Sequence, residues 1–210
     1  MKNYNNIELV EKVKSVFKLR ESPIAFFYTD NSPEEVYRPK KPKSLKNLPC
    51  IIQLLNGVRQ GKTLFLGKQS RNLCPGGLTY LGFNKIPTGL EYYLSTGVPK
   101  PNSEEIALEG ERIVRSPQLV KNLYDIIPFK KNPAMYAVFM PLDLVNPEIY
   151  TPLLVIFFVK MDQLAGLIQL ANFDTSNRTI LGISSGCGTI VTEPLAELEK
   201  NEAPRPVIGM

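Results

Sequence analysis

Leu153-Leu154-Val155-Ile156-Phe157-Phe158-Val159 is the longest uninterrupted apolar run in the chain. It is far too short to cross a bilayer, which takes about 20 residues. A short run rich in β-branched and aromatic residues reads as a strand. Apolar character at every position, rather than at alternate ones, places that strand centrally with both faces covered. Helices must supply the cover. The fold class expected is therefore α/β or α+β, a single domain over residues 1–210 with a mixed sheet covered by helices.

Working outward, Met135 to Met140 and Ile24 to Tyr28 are the strands expected beside it. The second is opened by Pro23 and closed by Asp30-Asn31-Ser32-Pro33. Thr63 to Leu66 is strand-like and ends at Gly67; Ile180 to Ile183 and the apolar end Pro206 to Met210 read the same way. Asn5 to Leu19 predicts a helix with Asn5 and Glu8 as a capping box and Leu9, Val13, Val16 and Phe17 on its inner face. The clearest helix is Asn102 to Arg115, capped by Asn102 with Glu105 at the third position. Shorter helices are expected over Leu78 to Phe83, Thr88 to Ser95, Gln163 to Asn172 and Thr192 to Glu199. Ile51 to Val58 fits a helix or a strand equally well.

With 43% hydrophobic and 21% charged residues among 210, the composition is that of an ordinary globular protein. The start, MKNYNNIELVEKVKSVFKLR, has no apolar signal core and no small-residue cleavage site, so a soluble cytoplasmic protein is expected. The net charge of +5 is mild. Much of it sits in Arg38-Pro39-Lys40-Lys41-Pro42-Lys43, followed by Lys46, inside an irregular Pro-rich excursion over residues 30–49. Prolines rather than aromatics interleave these cations, which favours a solvated loop over a nucleic-acid surface.

Histidine is absent. That excludes Ser-His-Asp triads, Cys-His dyads and histidine metal sites. Three cysteines are too few, and odd in number, for a disulfide framework. Each sits beside a backbone-punctuating residue, in Pro49-Cys50, Cys74-Pro75-Gly76-Gly77 and Gly186-Cys187-Gly188. Cys74 and Cys187 are both expected to precede helix N-termini, where exposed amides favour a thiolate. Cys50, Cys74 and Cys187 are accordingly the candidate metal ligands, as three thiolates on an iron–sulfur cluster with one iron left open, or on another thiolate-bound metal. Cys74 and Cys187 are the pair expected to meet. Gly76, Gly77, Gly186 and Gly188 are the candidate cofactor-binding positions, because a backbone without Cβ lets a ligand approach. No Cys-x-x-Cys pair exists, so convergence depends wholly on the fold. The alternatives are inert thiols in turns, a redox or nucleophilic cysteine, a non-catalytic domain that binds a small molecule or an anion, and an interaction module using the basic loop.

Two look-alikes carry little. Gly57-Val58-Arg59-Gln60-Gly61-Lys62-Thr63 resembles a phosphate loop, but it has Asn56 where the first glycine belongs and leads into a strand instead of a helix. Gly186-Cys187-Gly188 lacks the third glycine and the later acidic residue of a dinucleotide fingerprint.

Further residues point to a family. Pro23-Ile24-Ala25-Phe26, Cys50, Val58-Arg59-Gln60-Gly61, Cys74-Pro75-Gly76-Gly77 with Leu81-Gly82, Met140-Pro141-Leu142, Gly186-Cys187-Gly188 and Pro204 to Met210 run nearly the length of the chain. In these the sequence resembles an uncharacterised prokaryotic family, domain of unknown function 169, found in archaea and anaerobic bacteria. The resemblance implies an α/β domain, draws attention to the three cysteines and supplies no activity. It also implies that relatives continue past the position of Met210, so a shortened C-terminus is expected.

Overall fold

The computed structural model describes residues 5–31, 48–70, 73–97, 112–173, 180–181, 186–200 and 207–208. Its centre is a sheet of four strands, β1 (Ile24–Thr29), β2 (Leu64–Gly67), β3 (Tyr136–Pro141) and β4 (Leu154–Ile156), in the order β2-β3-β1-β4. Every pairing in it is antiparallel, with Phe26 opposite Phe139, Leu64 opposite Phe139 and Ile24 opposite Ile156. Parallel pairing occurs separately, between β5 (Ile180–Leu181) and β6 (Val207–Ile208). The two pairing modes thus lie in two sheets rather than in one mixed sheet.

The period-2 geometry of a strand splits each apolar run between two cores. Ile24, Phe26, Leu64, Leu66, Ala137 and Phe139 join one core with Ile51, Leu54, Leu55 and Val58 of helix α2 (Ile51–Arg59). Ala25, Phe27, Phe65 and Val138 join the other, with Val10 of helix α1 (Asn6–Phe17) and with Leu142 and Val145. Phe26 lies 4.8 Å from Phe139 and 5.0 Å from Tyr28 between ring centroids. Aromatic pairs of this kind add about 0.5–1.5 kcal/mol beyond their buried area. Double cover explains why β1 is apolar throughout although the sheet is antiparallel.

Two expectations are corrected. Leu153 to Val159 belongs to the sheet, but as a short edge strand. Leu153 is 39% exposed, Val155 43% and Phe158 38%, so the run is neither central nor covered on both faces. Helix α1 keeps its Asn5 cap, whose side chain accepts from the Ile7 amide at 3.0 Å. Its inner face, however, runs through Asn6, Val10, Val13 and Phe17, with Leu9 and Val16 exposed. Asn6 Nδ2 donates to Val145 O at 3.1 Å, so a polar residue opens the buried stripe.

The ambiguous segment at 51–58 is helix α2. Its end explains the phosphate-loop look-alike: the Lys62 amide bonds Gly57 O and the Gly61 amide bonds Val58 O, with Gly61 at φ 91°. That is a Schellman helix end, which presents carbonyls instead of the amides a phosphate needs. Helices α3 (Pro75–Tyr80), α4 (Leu90–Tyr93) and α6 (Met161–Ala171) lie within a few residues of the expected segments. Residues 102–111 of the helix expected at Asn102 to Arg115 lie outside the described residues, as does the basic loop 38–46. Residues 112–115 are not helical, and Arg112 has φ 52°. A helix not anticipated, α5 (Pro117–Ile126), follows instead, with Ser116 as its cap and Pro117 in its first turn. Residues 188–192 form a turn of π-helix that runs into α7 (Glu193–Leu198). No helix among the described residues is long and apolar enough to cross a membrane.

Candidate functional site

The three cysteines each stand at the entry of a helical segment. Cys50 is the N-cap of α2, with extended backbone at φ −70° and ψ 150°. Its amide donates to Gln53 Oε1 at 3.0 Å, and the Gln53 amide faces its sulfur in a capping-box arrangement. Cys74 is the N-cap of α3, where Pro75 at the first helical position gives up an amide that would have had no partner there. Cys187 precedes the π-turn and is buried at 6% exposure, whereas Cys50 and Cys74 are half-buried.

Long-range contacts bring these segments together. The Cys74 amide donates to Pro49 O at 3.1 Å, which lays the start of α3 against the start of α2. Gly77 lies beside Leu73 and Ile51, where a Cβ would make ordinary contacts at 3.5 Å and 3.6 Å. Gly186 abuts α2 more tightly, since a Cβ there would lie 3.2 Å from Ile52 Cγ1. Thr189 Oγ1 donates to Gly186 O at 3.1 Å, and Thr192 Oγ1 donates to Tyr80 O at 2.8 Å in the interior. The outcome is a sulfur contact: Cys50 Sγ and Cys187 Sγ lie 3.8 Å apart.

The contact observed is Cys50 with Cys187, a pair the spacing did not single out. The reason is local. Cys74 approaches Cys50 through the backbone at Pro49, while the close fit of Gly186 on Ile52 carries Cys187 onto the first turn of α2. Among the described residues, no group of three or more His, Cys, Asp or Glu side chains is placed to hold a metal ion. Of the candidate cofactor glycines, Gly186 lies close against Ile52 and Gly188 is buried in the π-turn. Gly76 is different, for the space its missing Cβ leaves open lies 3.8 Å from Cys74 Sγ.

Two long-range contacts hold the elements that carry these segments. The Tyr28 hydroxyl donates to Leu81 O at 3.2 Å, tying β1 to the end of α3, and burial pushes its pKa well above the usual tyrosine range. Arg59, at the last turn of α2, makes a two-pronged ion pair with Glu21 and lies 5.0 Å over the Phe158 ring. Neither left a local signal, because each partner is distant in sequence.

A model of the family DUF169, described as Uncharacterised ArCR, matches residues 12–210. No curated protein and no solved structure matches the chain.

Proposed function

Since the chain belongs to the uncharacterised family DUF169, its chemistry has to be sought in its own residues, and we propose that Cys50 and Cys187 are thiolate ligands of one thiophilic metal ion, with Cys74 as the third sulfur. The observation that carries this is the 3.8 Å between the Cys50 and Cys187 sulfurs. Two thiolates held about 2.3 Å from one tetrahedral ion are separated by about 3.8 Å. Ligands of an iron–sulfur cube sit on different irons and do not touch, so the contact favours a single ion. Three thiolates on a tetrahedral ion leave one position for water or a small ligand, and the open side of Gly76 beside Cys74 offers space for it.

The test is anaerobic purification followed by loading with zinc or ferrous ion and metal analysis. One tightly held ion per chain is expected. Cys50→Ser and Cys187→Ser should abolish retention, and Cys74→Ser should weaken it. A reduced protein that retains no stoichiometric ion would overturn the proposal.

One observation favours a second reading. The Cys50 and Cys187 sulfurs are in contact, and among the described residues no group of three ligands is placed to hold an ion. A dithiol could then close to a disulfide, each thiol losing a proton and the pair giving two electrons to a small-molecule disulfide, which leaves as two thiols. Oxidised glutathione would convert the wild type and Cys74→Ser alike, with loss of two titratable thiols. Protection of those thiols by zinc would favour the metal.

A further inference from the structure

On the far side of α3 from its cysteine end lies an open groove of about 930 Å³. Its floor comes from two segments that the backbone holds together. The Asn132 amide donates to Gly82 O at 3.0 Å. Gly82 adopts φ 78°, where any Cβ would be driven against Lys130 O and to 2.5 Å from Asn132 N. This close approach sets the loop after α3 against the segment that leads into β3.

The lining is chemically one-sided. Four lysines, Lys68, Lys85, Lys130 and Lys131, stand around the groove, and none of the lining residues is acidic. Lys130 pairs with Glu199 from outside it, whereas no ion pair among the described residues engages the other three. Between the cations lie the rings of Phe83 and Phe129, together with Ile86 and Met135, which are 41% and 61% exposed. Asn132 adds a further unfilled group: its Oδ1 accepts from the Ala134 amide at 2.7 Å, while its buried Nδ2 has no acceptor among the described residues.

We infer that this groove binds an organic phosphate with a flat apolar body, the chemical class of a nucleotide. Lysine ammoniums meet phosphate oxygens as point charges. The aromatic and aliphatic floor takes the flat body, and the volume lies in the range of small-molecule sites. The inference goes beyond the sulfur site and does not rest on it, because the groove shares none of its residues.

Isothermal titration of the full chain with ADP, inorganic pyrophosphate and adenosine tests it. ADP should bind tightest, since it alone offers both features. Pyrophosphate should bind at least tenfold more weakly with a steep salt dependence, and adenosine more weakly still. The double variant Lys85→Glu/Lys131→Glu changes two exposed side chains and should keep the wild-type thermal melt while losing at least tenfold in ADP affinity. Absence of ADP binding, equal affinity for ADP and pyrophosphate, or an unchanged affinity in the folded double variant would each overturn the inference.

Discussion

Thr192 Oγ1 donates a buried 2.8 Å hydrogen bond to Tyr80 O, across 112 positions of sequence. It fixes the π-turn to the end of α3 and so sets the height at which Cys187 meets Cys50. Valine has the same shape without the donor. Thr192→Val should therefore cost about 1–3 kcal/mol, mostly as the desolvated carbonyl left behind. In urea the midpoint should fall with an unchanged slope. An unmoved midpoint would mean that the bond contributes nothing net.

Two glycines with positive φ separate backbone strain from lack of space. Gly61 has φ 91° with nothing within 4 Å of an added Cβ, whereas Gly82 has φ 78° and backbone atoms in the way. Gly61→Ala should cost about 1–2 kcal/mol, the left-handed penalty alone. Gly82→Ala carries that penalty together with a steric conflict that no side-chain movement relieves, so its loss should be several times larger. Equal unfolding midpoints for the two variants would contradict this.

The sequence made β1 and β3 legible because each is bounded by strong punctuation and is apolar on both faces. The same pattern misled at Leu153 to Val159. A fully apolar run there marks half-exposed side chains on the sheet edge, and no local signal distinguishes cover from its absence. Helix α5 does carry a local signal, since Ser116-Pro117 is an N-cap followed by a first-turn proline. The cysteines were legible as residues at element ends. Which two would meet was not, because Gly186 on Ile52 and Cys74 on Pro49 are long-range contacts that leave no trace in spacing. The groove was invisible for the same reason, its lysines coming from three separate segments of the chain.

The edge position of β4 has a measurable consequence. Val155 is 43% exposed, while Val138 on β3 is fully buried between strands. Replacing each by threonine adds the same hydroxyl in two settings. Val155→Thr should change stability by no more than about 0.5 kcal/mol, and Val138→Thr should cost about 1–3 kcal/mol for an unpaired buried hydroxyl. Equal costs in chemical denaturation would show that β4 is covered after all.

Arg59 tests whether charge alone holds the end of α2. Its guanidinium grips Glu21 at two points, donates to Asn56 Oδ1 at 3.0 Å and lies over Phe158. Lysine keeps the charge but loses the fork and the flat face. The pair is about one-third exposed, so solvent limits its worth. Arg59→Lys should lose about 0.5–1 kcal/mol, nearly as much as Arg59→Ala. A lysine variant as stable as wild type would show that simple ion pairing suffices.

Glu193, at the first position of α7, gives a prediction in pH. Burial raises its pKa above the ordinary 4.5, the nearby Glu197 carboxylate raises it further, and Lys200 offsets part of the rise. A carboxyl with a higher pKa in the folded chain binds more protons there than in the unfolded chain at any pH between the two values. Its contribution to stability is thus fully present below the unfolded value and is lost as pH rises through the folded one. Glutamine keeps the shape and removes the titration. Glu193→Gln should therefore match or trail wild type in acid and become the more stable protein as pH approaches neutrality. Carboxylates that do not interact with Glu193 cancel when the two proteins are compared at each pH. A difference in unfolding free energy that stays flat across this window, or moves in wild type's favour as pH rises, would show that Glu193 is solvated well enough to ionise without cost.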